Sequence, residues 1–276
     1  MKIDYANVIK KSLKFSVKPK HWLPFFALNI TLFSIFIAIL FSNTEAFSVL
    51  QSLQEGTNTM PDYTQMMTIF QMLFVIFSIT VIWQLVKLYV TGAVTYQSYK
   101  EKEYFKSWSV AASKYVSLLL ASIIVTILIG LCSLVPYIGQ FLSIIVTLVF
   151  WFFIPAIIVS NLGPLDSLEK SYNIIRKEPF KVIAMWLTVV LVNFLLIVLF
   201  ALPLILIFVK SYIPALISSE KAFDIINIFY SIRSNPMNMF IGAVIYTVGL
   251  SIAQAFSVKA VTEYYQKFKK KRFGIF

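Results

Sequence analysis

Apolar and polar positions along this chain fall into long blocks and do not alternate. Six stretches, at 22–42, 66–86, 115–135, 137–160, 182–208 and 236–258, contain no Asp, Glu, Lys or Arg. A helix rising about 1.5 Å per residue needs roughly 20 apolar residues to cross a hydrocarbon core of about 30 Å. Each stretch is that long. None shows the period-two alternation of a barrel strand, and lipid admits only segments that pair their own backbone groups. The pattern predicts an all-α polytopic membrane helix bundle of six spans, organised as a single integral membrane domain over 1–276.

Composition supports this reading, with 59% hydrophobic and 13% charged residues, outside the range of ordinary soluble domains. The first stretch is longer than a signal-peptide core and no Ala-x-Ala cleavage site follows it, so it reads as a retained anchor.

The polar blocks fix the expected orientation. Lys2, Lys10, Lys11, Lys14, Lys18 and Lys20 precede the first span, and Lys87, Lys100, Lys102, Lys106 and Lys114 lie between the second and third. Lys170, Arg176, Lys177 and Lys181 separate the fourth and fifth, and Lys259, Lys267, Lys269, Lys270, Lys271 and Arg272 follow the sixth. Only Lys210, Lys221 and Arg233 fall on the other side, where 43–65 carries Glu45, Glu55 and Asp62 without a basic residue. Basic residues concentrate on the cytoplasmic side. Both termini are therefore expected in the cytoplasm, and the protein in the cell membrane. Topology also accounts for the net charge of +12, so no nucleic-acid partner is expected.

The cytoplasmic blocks have a helical period of their own. Residues 3–17 place Ile3, Ala6, Ile9, Leu13 and Val17 opposite Lys10, Lys11 and Lys14. Residues 102–114 set Tyr104, Trp108, Ala111 and Tyr115 against Lys102, Lys106 and Ser113. Residues 164–177 align Leu165, Leu168, Tyr172 and Ile175, with Pro164 suited to a helix start. A short interfacial helix is thus expected before the first, third and fifth spans. Lys11-Ser12 followed by Lys18-Pro19, and Lys170-Ser171 followed by Lys177-Glu178-Pro179, suggest a helical-hairpin repeat in three copies. On the outer side, 214–233 carries the stripe Leu216, Phe223, Ile226 and Tyr230, which fits an interfacial or a re-entrant segment. Pro203 is expected to kink or end the fifth helix.

The stretch Phe152-Phe153-Ile154-Pro155, then Asn161-Leu162-Gly163-Pro164, then Ser167-Leu168-Glu169-Lys170-Ser171, carries a family resemblance, as does the tight Val135-Pro136-Tyr137-Ile138-Gly139 hairpin. Together they resemble the membrane domain of glycerophosphoryl diester phosphodiesterases and related six-helix integral membrane families of unknown function. The likeness covers most of 89–181 at the level of pattern. It implies the fold and no activity, since the chain printed here ends at Phe276 without a soluble phosphodiesterase domain. It departs at Asn161, where such proteins commonly carry an acidic residue.

Residue types for catalysis are sparse. The single histidine, His21, cannot form a two-histidine zinc motif. Beside Trp22 it reads as an interfacial aromatic. The single cysteine, Cys132, predicts no disulfide or metal cluster. No glycine-rich phosphate loop and no pair of carboxylates within a span is present, so no catalytic, cofactor-binding or metal-binding residue is assigned. Lys87, Lys210 and Lys259 stand at span ends, where long side chains snorkel to the interface. The polar residues left within spans are Asn29, Gln71, Gln84, Thr126, Thr147, Asn193 and Gln254. Of these Asn29, Gln84, Asn193 and Gln254 are candidates for a polar path or for contacts between helices, the commoner role. Gly242, Gly249 and Ala253 form a stripe that permits close helix approach. The basic tail at 259–276 holds Lys267, Lys269, Lys270, Lys271 and Arg272, candidates for contact with anionic lipid at about 1 kcal/mol each.

The sequence thus predicts a non-enzymatic multi-pass protein acting as an accessory, scaffold or lipid-associated factor. Its expected partners are the bilayer, anionic lipids at the cytoplasmic face and a membrane protein. The alternative is a small-solute or lipid transporter built on the repeat. Immunity against a membrane-active peptide fits small polytopic proteins in general.

Overall fold

A computed structural model describes residues 4–42, 62–218 and 236–273. The described residues form helices α1 (Tyr5–Ser16), α2 (Pro19–Ser42), α3 (Tyr63–Tyr99), α4 (Tyr104–Ser133), α5 (Gly139–Val149), α6 (Phe153–Ser160), α7 (Pro164–Lys177), α8 (Pro179–Ser218) and α9 (Pro236–Phe273), with no strand among them. Six segments are long and apolar enough to cross a membrane: Pro19–Ile39, Met66–Tyr99, Tyr104–Ser133, Gly139–Ser160, Pro179–Ile207 and Phe240–Lys269. The protein is an all-α, multi-pass membrane protein. Most of the expected outer loop at 43–65, with Glu45 and Glu55, lies outside the described residues, as do Lys2, Ile3, Lys221, Arg233 and most of 214–233.

Several boundaries differ from the sequence reading, for one reason. Loss of hydropathy ends a span without ending its helix, because Lys, Gln and Tyr are acceptable helix formers. So α3 runs on past 86 to Tyr99, and the interfacial helix expected at 102–114 is the first part of α4. The tail expected from 259 is the end of α9, helical to Phe273. Pro203 does not end α8, which continues to Ser218.

The expected interfacial helices α1 and α7 exist as separate elements, but their buried faces are rotated from the expected ones. Helix α1, capped by the Asp4 carboxylate accepting from the Asn7 N–H at 3.0 Å, buries Val8, Ser12, Phe15 and Ser16. Val17 and Ala6 are exposed. Helix α7 buries Ser167, Leu168, Ser171 and Ile174, leaving Leu165 and Tyr172 exposed. Serine is small enough to let these helices approach the spans closely, so the serine-bearing side turns inward. The α4 face is as expected, with Ala111 buried and Tyr104, Trp108 and Tyr115 half-buried.

Contacts divide the chain into two compact units, one of residues 1–25, 85–196 and 251–276, the other of 26–84 and 197–250. In the second unit the glycine stripe of α9 packs on α8. A Cβ at Gly249 would lie 2.2 Å from Phe200 Cβ, and one at Gly242 3.1 Å from Leu204 Cδ1.

The first unit holds most of the buried side chains. Residues 92–98 of α3 are buried on every face, which small residues such as Gly92 and Ala93 permit. The fourth span is interrupted between α5 and α6 at 150–152. Ser171 of α7 repairs that break. Its hydroxyl donates to the Val149 carbonyl at 2.8 Å and accepts the Phe152 N–H at 3.1 Å. The hairpin before α5 turns at Tyr137 with φ of 64°. Gly139 follows, where a Cβ would meet the Cys132 carbonyl oxygen at 2.7 Å. Helix α6 ends on Asn161 with φ of 57°, a left-handed cap that Asn adopts more readily than most residues. This gives Asn161 a backbone role.

Candidate functional site

The buried end of α3 organises a polar network in the first unit. His21 at the start of α2 is fully buried, its ring stacked on Phe15 at 3.7 Å and 15°. Its Nδ1 lies 2.9 Å from Gln97 Oε1. A carbonyl oxygen only accepts, so Nδ1 carries the proton, and the buried Nε2 has no partner among the described residues. The Gln97 amide in turn donates from Nε2 to Ser107 Oγ of α4 at 3.0 Å. One glutamine therefore joins α2, α3 and α4.

Lysine 259 closes the network from α9. It is 5% exposed, which overturns the snorkelling expected for it. Its Nζ donates to the Ser98 carbonyl at 2.6 Å, pairs with Glu263 at 2.9 Å and with Glu101 at 3.8 Å, and lies 5.3 Å from the Phe15 ring centroid. The Ser98 carbonyl belongs to the last turn of α3, where carbonyls lack helical donors, so Lys259 caps that helix from outside. Glu101 also accepts from Lys18 at 3.1 Å. Burial alone pulls the Glu101 carboxyl upward, yet the Lys18 hydrogen bond and the charges of Lys18 and Lys259 hold it below the usual carboxylate range. Hydrogen bonds from Tyr96 and Lys100 bring the neighbouring Glu103 down to about 2.

Serines of α1, α4 and α7 that each follow a lysine in the sequence share one environment. Ser12, Ser107 and Ser171 are all fully buried. Ser107 accepts from Gln97 and Ser171 bridges the helix break, while Ser12 Oγ has no partner among the described residues.

A second feature of this unit is a partly open cavity of 240 Å³ beside the break in the fourth span. Thr91 and Thr95 of α3, Thr147 of α5, Trp151, Pro155 of α6 and Thr262 of α9 are among its walls.

The residues singled out from sequence are placed as follows. Asn193 donates to Ser257 Oγ, a cavity residue, and its buried Oδ1 is unpartnered among the described residues. Gln254 is half-buried in the same unit. Asn29 is 6% exposed and Gln84 is exposed, both in the other unit. Lys267 and Lys269 are half-buried, and Lys269 Nζ donates to the Val159 carbonyl at 3.3 Å near the end of α6. Lys270, Lys271 and Arg272 have side chains outside those described.

Sequence reasoning missed Gln97, Ser107, Glu101 and Glu263, and took His21 for an interfacial residue. The signal available was the run of small and polar residues at 91–98, unusual for the end of a lipid-facing helix. Among the described residues no group of three or more His, Cys, Asp or Glu side chains could hold a metal ion. The chain matches no protein-family model, no curated protein and no solved structure.

Proposed function

We propose that this is a non-enzymatic, lipid-associated accessory protein of the cytoplasmic membrane, with both termini in the cytoplasm. Its working surface is the cytoplasmic side, where it binds anionic headgroups and seats a partner membrane protein. The observation that carries the reading is the division of α1. One side is sunk into the first unit through Val8, Ser12, Phe15 and Ser16, while Lys10, Lys11 and Lys14 are exposed. Arg176 and Lys177 are exposed at the end of α7 in the same way, as are Lys102 just before α4 and Lys106 in its first turn. An amphipathic helix held by its small-residue face presents its lysines in a fixed array, and each adds about 1 kcal/mol toward an anionic leaflet. His21 and Lys259 are engaged in the helix-joining network, which suits a scaffold. The family resemblance over most of 89–181 is part of the same proposal, as a likeness of fold.

The test is native mass spectrometry of the protein released from bilayers of phosphatidylglycerol and phosphatidylcholine. Wild type should retain phosphatidylglycerol preferentially, and K10E/K11E/K14E should lose about a hundredfold of that preference if all three lysines act. Equal retention of the two lipids by wild type, or no change in the variant, refutes the reading. The transporter alternative draws support from the interrupted fourth span, because membrane proteins tolerate broken helices where they line a cavity. Retention of one solute species by the purified protein would favour it.

A further inference from the structure

The cavity beside the helix break is lined by threonines with one-sided hydrogen-bonding chemistry. Its threonine hydroxyls have already given up their protons: Thr91 donates to the Lys87 carbonyl at 2.7 Å, Thr95 to Thr91 at 2.7 Å, Thr147 to Ser143 at 2.8 Å and Thr262 to Val258 at 2.7 Å. Each oxygen is left only with lone pairs to offer. Pro155 extends this pattern, because it has no N–H to return to the Trp151 carbonyl one turn back. The Ser257 hydroxyl, also on the wall, accepts from the Asn193 amide and so keeps its own proton, a donor set apart from the threonine oxygens. The remainder of the lining is apolar or aromatic, including Phe150, Trp151, Phe153 and Ile154.

No ionisable side chain lines the cavity, so a charged occupant would lack a counter-charge at high cost. An occupant without a donor would leave the threonine oxygens unanswered. Every lining residue belongs to a candidate span, which makes membrane lipid the available source. We propose that this cavity binds a neutral lipid alcohol, its hydroxyl donating to the threonine oxygens and its chain lying along Phe150, Trp151 and Ile154. The inference uses only the membrane embedding of the chain and is independent of the basic cytoplasmic surface.

The probe is a diazirine-bearing long-chain diacylglycerol, irradiated with the full-length protein in phosphatidylcholine nanodiscs. Cross-links should map to 147–155, and unlabelled diacylglycerol should compete about three- to tenfold better than its methyl ether, the worth of one neutral hydrogen bond. T95V/T147V keeps the shape and removes two acceptors, and should erase the difference between alcohol and ether while leaving the melting temperature near that of wild type. Should that variant fail to fold, the alcohol-against-ether competition in wild type decides the matter alone. Equal competition by the two, or cross-links confined to other regions, overturns the proposal.

Discussion

Replacing Lys259 by methionine tests the polar network most sharply. Methionine keeps the length and apolar stem of the side chain and removes the ammonium. Four contacts are lost: the Ser98 carbonyl at 2.6 Å, Glu263 at 2.9 Å, Glu101 at 3.8 Å and the Phe15 ring at 5.3 Å from its centroid. A hydrogen bond to a charged group contributes about 1.5–3 kcal/mol, and a buried carbonyl left unpaired costs about 1–3 kcal/mol. Removing one partner of a fully buried ion pair costs about 3–5 kcal/mol. Here the side chains of Glu263 and Glu101 are 18% and 41% exposed, so water screens part of the stranded negative charge. The balance is a loss of about 3 kcal/mol, or roughly 6–12 °C in melting temperature for a chain of this size. Thermal unfolding in mild detergent, followed by tryptophan fluorescence, reads it. K210M, at an exposed lysine, serves as the control and should not shift. If K259M melts within about 1 °C of wild type, an interaction of this size is absent and Lys259 is an interfacial lysine after all.

Further predictions follow from individual contacts. S171A leaves the Phe152 N–H and Val149 carbonyl unanswered at the break and should destabilise by about 1–3 kcal/mol, seen as faster amide exchange at 149–153. G249L drives a side chain into Phe200 and should lower the melting temperature, and adding F200A should recover part of the loss; no recovery would contradict the predicted clash. The folded-state carboxyl of Glu101 lies below its ordinary value of 4.5. Its contribution is therefore complete above that value and is lost as the pH falls through the lower, folded value. Wild type should melt above E101Q near neutrality and lose more melting temperature on acidification, so that the two converge at low pH.

The fold was legible where one physical signal dominates. Absence of charge over helical lengths located all six spans, and Pro164 marked the start of α7. Helix ends were less legible, because a chain leaving the apolar layer keeps its helical hydrogen bonds; Lys87 and Lys259 mark changes of polarity within α3 and α9. The faces of α1 and α7 were misjudged since apolarity was taken as the guide to burial, whereas Ser12, Ser16, Ser167 and Ser171 are buried for their small size. The run of small and polar residues at 91–98 signalled a buried helix end, but the partners in the network around Gln97 were not legible. That network joins His21 to a residue 76 positions away and Lys259 to one 161 positions away, and no local period records such pairings.

Orientation underlies the functional account, and side-specific labelling tests it most directly. In a C132S background, single cysteines replacing Lys14, Lys177 and Lys210 would be probed with a membrane-impermeant maleimide in intact cells and in inverted vesicles. The account predicts that K14C and K177C react only in inverted vesicles and K210C only in intact cells. Reaction of K14C or K177C from outside would place the basic helices on the wrong leaflet and contradict the proposed function.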